Sequence, residues 1–266
     1  MLTSALRQKL DQARFVLEEM LDRYPLEQTM LAWSAGKDST LVLYLLVELC
    51  RERGLRPPRV MDIDEKDAFP ELGSFRDRLV RDWNLDLLIV RNIHLLDKLD
   101  RIGDELRVAD LNPANQAALE ALGYREPTLR WLPDSPACSL LLKTLPLRDA
   151  LRDHAIQALI TGIRWDEHVA RSQETFFSPR NDPSHMRVQP ILHFTERDVW
   201  DVTLGLGIPF CRLYSQGYRS LSTRSASKPS AAVPAWEQDL ESSNERQERN
   251  LEKESVMGQL RALGYM

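Results

Sequence analysis

The sequence predicts an α/β fold: an open, doubly wound, mostly parallel five-stranded sheet with an added helical tail at the C-terminal end. Three observations predict it. Short apolar runs alternate with longer stretches of helical periodicity, the rhythm of a parallel sheet covered on both faces. The first run ends in a glycine-containing turn, Ser34-Ala35-Gly36-Lys37-Asp38-Ser39-Thr40, that leads straight into a helix. With 43% hydrophobic and 28% charged residues among 266, the chain has the apolar material for a sizeable core.

The elements follow in order. Leu6, Leu10, Ala13, Leu17 and Leu21 recur at helical spacing, so 4–24 is an amphipathic helix stopped by Pro25. The run 29–34 reads as a buried strand, and 38–53 as a helix that buries Leu41, Val42, Leu45, Leu46 and Leu49 and ends at Gly54. Strands follow at 59–64 and 86–91, with a helix over 70–83 between them that carries Phe75, Leu79 and Trp83. The stretch 104–137, with Pro113, Pro127, Pro133 and Pro136, breaks the rhythm and reads as an insertion or lid. A helix at 142–154 contains Pro146, read as a helix start, and a strand follows at 155–161. The segment 187–192 reads as the sheet edge, because Pro190 cannot donate to a ladder. Thr195 and Asp198 mark the start of a helix over 195–204. The stretch 222–234, rich in Ser, Ala and Pro, is a linker. Ser242 with Glu245 resembles a capping box, and Val256, Met257, Leu260 and Leu263 line a terminal helix. The expected division is a nucleotide-binding unit over 1–221 and a linker with terminal helix over 222–266.

Charge and cysteine content exclude several classes. Lys and Arg number 35 against 40 Asp and Glu, a net charge of −5, which disfavours general nucleic-acid binding. Cys50, Cys138 and Cys211 are too few for a disulfide framework or for ligating an iron–sulfur cluster by four cysteines of one chain. No apolar run approaches the length of a membrane span, and the N-terminus lacks a signal-peptide core, so a cytoplasmic location is expected.

The turn at 34–40 carries the chemistry. A helix start offers unpaired N–H groups and the positive end of the dipole, which together bind anions, phosphate above all. Gly36 lets the backbone approach a ligand, while Ser34, Ser39 and Thr40 add hydroxyls. The GxxxxGK[ST] spacing of the Walker loop is absent. Taken alone, the string also fits a tight turn with Asp38 as the helix N-cap and no ligand.

The string resembles the SGGKDS pyrophosphate loop of the adenine nucleotide alpha-hydrolase superfamily, with Ala35 in place of the commoner glycine. The resemblance runs over about 28–227. Val60-Met61-Asp62 and Phe69-Pro70-Glu71 resemble the second-strand segment of sulfonucleotide reductases and of the small subunit of sulfate adenylyltransferase. Those families have a D-T-G turn there. In this chain Asp64 takes the glycine position and two extra residues follow. Lys143-Thr144-Leu145-Pro146-Leu147 resembles the K-V-x-P-L segment of the reductases. Gly162-Ile163-Arg164, Asp166-Glu167 and Arg171 resemble the arginine loop of sulfate adenylyltransferase, with Phe176-Phe177-Ser178 behind it. Met186-Arg187-Val188-Gln189-Pro190 with Trp200 resembles R-V-x-P-L…W. The stretch Pro209-Phe210-Cys211-Arg212-Leu213-Tyr214, followed by Gly217-Tyr218-Arg219-Ser220-Leu221, is similar to FMN adenylyltransferases (FAD synthetases).

This resemblance implies a Rossmann-like fold and adenylyl transfer from ATP with pyrophosphate release. Sulfate is the acceptor slightly preferred and FMN the alternative. Lys37, Asp38, Arg164 and Arg171 are then expected to act in catalysis. Ser34 to Thr40, Asp62, Gly162 and Arg164 would hold nucleotide, and Arg187, Tyr218 and Arg224 would hold acceptor. ATP, or PAPS or APS, is the expected bound nucleotide, with Mg2+ on Asp38 and no iron–sulfur cluster. A homo-oligomer or a GTPase-subunit partner is implied, and no membrane. Thiol-dependent reduction is not expected, because no cysteine follows Cys211 and Thr223 and Ala226 stand where the reductases have a cysteine pair. A reductase-like nucleotide-binding module without turnover is the remaining alternative.

Overall fold

In the computed structural model, which describes residues 2–133, 135–167, 171–221 and 223–242, the chain opens with α1 (Ser4–Arg23). Thr3 caps α1 by accepting the Leu6 amide at 3.2 Å, and the buried stripe is Leu6, Ala13, Val16, Leu17 and Met20. The strand–helix rhythm then appears as expected: β1 (Thr29–Ala32), α2 (Lys37–Glu52), β2 (Arg59–Ile63), α3 (Pro70–Asp82) and β3 (Leu87–Val90). After α4 (Ile93–Leu96) come β4 (Glu105–Arg107), α5 (Pro113–Ala121), β5 (Thr128–Arg130) and α6 (Pro136–Ser139). A π-helical turn (Leu140–Thr144) runs into α7 (Leu145–Asp153), followed by β6 (Ala158–Ile160), β7 (Phe177–Asn181), β8 (Ser184–Val188) and α8 (Glu196–Gly205).

The sheet has six strands in the order β3-β2-β1-β6-β8-β7, and every pairing is parallel except β7 with β8. The order steps outward from β1 through β2 to β3, then returns to β6 on the other side of β1. That reversal is a topological switch point, which opens a crevice at the carboxyl ends of β1 and β6. Side-chain alternation builds two layers. Leu31, Val60, Ile160 and Val188 bury against α1, α2, α3 and α8, while Met30, Met61 and Leu159 meet Ala150 and Leu151 of α7.

Three sequence expectations are corrected, and one about a proline is refined. The sheet gains a sixth strand, β7, whose Pro179 sits opposite Met186 on the true edge, where a missing amide leaves no bond unmade. The segment placed at 187–192 is β8, which starts three residues earlier and ends four earlier, paired on both sides rather than at the edge; Pro190 lies beyond its end. Pro146 sits in the first turn of α7, the helix start expected inside the 142–154 span. It lies in a helical run from Pro136 to Asp153, in which the Leu145 amide reaches back five residues to Leu140 O, widening the backbone just ahead of the proline. Ala155 has φ 49° and ends that helix, so the strand expected at 155–161 begins at Ala158.

The insertion is a packed module. β4 and β5 pair antiparallel, and Leu95, Leu96, Leu99, Leu111, Leu119, Trp131 and Leu140 to Leu142 form its core. Residues 223–242 lie against the main body: Ala235 is buried, and Trp236 stacks within 5.3 Å of both Trp200 and Phe210. The expected terminal helix, with Val256, Met257, Leu260 and Leu263, lies outside the described residues.

Candidate functional site

The 34–40 turn stands at the switch point, between β1 and the first turn of α2. Ala35 holds φ 56°, a left-handed conformation that costs a residue with a Cβ about 1–2 kcal/mol and explains the glycine of the related loop. Gly36, not Asp38, is the N-cap of α2, and it brings no side-chain oxygen to the first-turn amides. Lys37 N donates to the Tyr214 hydroxyl at 2.9 Å, and Thr40 N donates to Gly36 O at 2.9 Å. The amides of Asp38 and Ser39 are the first-turn donors left for a ligand.

Gly162, just past β6, explains itself sterically. A Cβ there would stand 2.8 Å from Ser39 N and 2.9 Å from the Asp38 carbonyl carbon. Only a glycine lets the end of β6 lie against the 34–40 loop.

Two residues on, Arg164 is 0% exposed. Its guanidinium contacts the Asp38 carboxylate, donates from Nε to Asp166 Oδ1 at 2.8 Å, and lies 4.0 Å from Glu167 Oε1. Glu167 in turn pairs with Arg171. Asp166 Oδ2 accepts the Glu196 amide at 2.7 Å, which ties the arginine loop to the start of α8. Thr195 and Asp198 complete a reciprocal capping box there.

The Lys37 ammonium, 1% exposed, turns inward. It donates to Arg219 O at 3.2 Å and stands 3.3 Å from Asp38 Oδ2 and 3.8 Å from Glu196 Oε1. Arg219 NH2 donates to the other Glu196 oxygen at 2.6 Å. Buried ion pairs of this kind are strongly felt when one partner is removed, by about 3–5 kcal/mol, whereas exposed pairs contribute at most about 1 kcal/mol.

The structure brings together Lys37, Asp38, Ser39, Gly162, Arg164 and Arg171. Ser34 lies at the mouth, with Oγ 3.4 Å from Ser39 Oγ. Thr40 faces inward, where its hydroxyl accepts Trp33 Nε1–H at 3.0 Å, so it braces the strand end rather than lining the cleft. Asp62, at the end of β2, pairs with Arg76 of α3 at 2.6 Å; burial pushes its carboxyl above the usual range, and Arg76 opposes that shift. Tyr218 is half-buried against the Phe69 ring at 5.4 Å. Arg224 is exposed on a turn held by the loop after β2: its amide donates to Asp67 O at 2.7 Å, and Ser225 N donates to Asp67 Oδ2 at 3.1 Å. Arg187 stands opposite Leu159 in the ladder, on the sheet face that α7 covers, apart from the loop. Sequence reasoning missed Glu196 and the loop contact of Tyr214. The capping pattern marks where α8 starts, but nothing in it signals a buried carboxylate.

Burial pushes the Cys138 and Cys211 thiols up, and the Cys50 thiol to about 11, so none is poised as a thiolate. Among the described residues no group of three or more His, Cys, Asp or Glu gathers as a metal site, and no helix is long and apolar enough to cross a membrane.

Comparison with known proteins places this geometry in context. The family model for the phosphoadenosine phosphosulfate reductase domain matches residues 28–229. A probable FAD synthase of Caenorhabditis elegans is 27% identical over 221 residues, covering 82% of this chain and 33% of that protein. Sulfate adenylyltransferase subunit 2 of Rhodopseudomonas palustris (strain BisB18) is 29% identical over 221 residues, covering 73% of this chain and 58% of that protein. The chain therefore spans a third to somewhat over half the length of these relatives. Among solved structures, Candida glabrata FMN adenylyltransferase in complex with ATP superposes with a TM-score of 0.59 at 18% identity, covering 85% of this chain and 64% of the other. Phosphoadenylyl-sulfate (PAPS) reductase from Candida auris, in a phosphate complex, gives 0.58 at 14% identity, covering 86% and 98%. At these identities the superpositions speak to the fold.

Proposed function

The chain belongs to the phosphoadenosine phosphosulfate reductase domain family, and from that premise we propose that it binds ATP at the 34–40 loop and transfers its adenylyl group to a small oxyanion acceptor, releasing pyrophosphate. The observation that carries this reading is the uncapped start of α2, apposed to Gly162 and flanked by the buried Arg164 at the switch point.

In the reaction, an acceptor oxygen bonds to the α-phosphorus while the bond from that phosphorus to the bridging oxygen breaks. Charge builds on the departing pyrophosphate, where the amides of Asp38 and Ser39 are fixed in advance. Arg164 presents a planar fork suited to two phosphate oxygens. Its carboxylate partners keep that buried cation neutralised until phosphate arrives to share it. Magnesium bound with ATP would neutralise phosphate charge. Asp38, the carboxylate of the loop, is the residue that would hold it, since Mg2+ needs one or two carboxylates beside phosphate oxygens.

Sulfate is the favoured acceptor, because Arg164 and Arg171 sit beside the loop on one linked segment. FMN is the second reading, favoured by the aromatic wall of Tyr218 and Phe69 beside the same edge of the sheet. Raised thiol pKa values speak against reduction. The test is pyrophosphate release from MgATP with sulfate, FMN and no acceptor. Acceptor-dependent release is expected from one of the two; its absence with both leaves a binding module.

A further inference from the structure

The charges around the phosphate loop form a closed circuit, and one residue outside every loop motif closes it. Lys37 meets Asp38, Asp38 meets Arg164, and Arg164 Nε donates to Asp166. Asp166 accepts the backbone amide of Glu196, whose side chain returns to Lys37 at 3.8 Å and takes Arg219 at 2.6 Å. Glu196 is 2% exposed and sits at the first position of α8, an element fixed by its own capping box. Its amide thus orients the arginine loop and its carboxylate orients the loop lysine. Lys37 carries one of the longest and most mobile of side chains, and its burial at this spot needs an anion on the far side from Asp38.

We propose that Glu196 is a positioning residue of the phosphate site: it draws the Lys37 ammonium inward, leaves the mouth of the 34–40 loop to main-chain amides, and sets the affinity of that loop for pyrophosphate through Lys37. This rests on the phosphate-binding reading above. The alternative is that Glu196 merely stabilises α8, in which case its loss lowers the melting temperature without reaching the loop.

The experiment uses the whole chain, with inorganic pyrophosphate as ligand and amine acylation followed by mass spectrometry as a probe that needs no ligand. In the wild type Lys37 should be protected. In Glu196→Gln it should acylate about tenfold faster, and pyrophosphate should bind about tenfold more tightly by calorimetry, because the freed ammonium reaches the mouth of the loop. In a Lys37→Met background, adding Glu196→Gln should change pyrophosphate affinity less than about twofold, because the route runs through Lys37. Glu196→Asp, which keeps the charge and shortens the reach, should unmask Lys37 in the same direction, and it carries the test if Glu196→Gln does not fold. Lys37 remaining protected in the folded variants, or an equal change of affinity with and without Lys37, overturns the proposal. If the wild type binds no pyrophosphate, the phosphate reading fails, while Lys37 acylation still decides whether Glu196 positions it.

Discussion

Two regions at the carboxyl edge of the sheet are built on opposite principles. Beside β1 and β6 the interior is charged: Lys37, Arg164, Glu167, Glu196 and Arg219 are all buried, and the circuit linking them is completed by the partly exposed Asp38 and Asp166. Beyond β3 the inserted module is apolar, with Leu95, Leu140 and Leu141 fully buried around Trp131 and a polar pair, Asn92 and Asn115, at 2.8 Å. Apolar burial is non-directional, and volume-conserving changes within it are tolerated. A buried charge is tolerated only in the geometry that pairs it. The first region therefore gives up stability for a defined arrangement of ions, and the second supplies stability without specifying a site.

That contrast can be broken by substitution. Arg164→Ala should do the most damage. It empties a fully buried site and leaves Asp38 to Lys37 and Asp166 to the Glu196 amide, lowers unfolding free energy by about 2–4 kcal/mol, and abolishes detectable ATP binding. Denaturant unfolding and calorimetry check both, and Arg164→Lys should recover stability before affinity, since an ammonium lacks the fork. Trp131→Ala in the insertion should cost a similar 3–5 kcal/mol or so, yet leave pyrophosphate affinity of the folded protein within about twofold. A large loss of affinity there would show that the two regions are coupled. Gly162→Ala should weaken pyrophosphate binding about tenfold or more, equivalent to about 1.4 kcal/mol, because the new methyl forces β6 and the loop apart. Tyr214→Phe removes one hydrogen bond to Lys37 N while keeping the ring against Trp200, so a loss of about 1 kcal/mol in stability is expected.

The smallest effect is that of pH. Burial holds His185 and His193 below the ordinary histidine range, so the folded chain binds protons less readily than the unfolded one. Their contribution is complete above about pH 6.5 and is lost as pH falls below it, by no more than about 1.4 kcal/mol per pH unit for each. Melting temperatures from pH 7.5 to 5 should fall in the wild type, and less steeply in a His185→Gln/His193→Gln variant.

The contrast also explains what the sequence could reveal. Strand–helix periodicity is written in apolar spacing, so β1, α2, β2, α3 and β3 are legible, as is the turn at 34–40 that leads into α2. Proline was harder to place, because its meaning depends on neighbours that only folding supplies. Pro190 points to an edge that is really at Pro179, and Pro146, which does mark the start of α7, gives no sign of the π turn that joins α7 to the helical turn before it. In the site, Gly162, Arg164 and Arg171 were visible as a motif. Glu196 was not, because a carboxylate at a helix start is ordinarily solvated, and its burial depends on Arg219 and Lys37 arriving from distant segments. By its place in the loop Thr40 reads as a ligand hydroxyl, but whether a hydroxyl there faces the cleft or the core depends on where Trp33 lies.

The account rests on main-chain amides at the start of α2 gripping the phosphates of an adenine nucleotide. Titration calorimetry of the full chain with MgATP, repeated in the presence of saturating pyrophosphate, tests it most directly. The expected result is one saturable site per chain for ATP, whose heat disappears when pyrophosphate already fills the loop. No heat with ATP, or ATP binding that pyrophosphate leaves untouched, would contradict it.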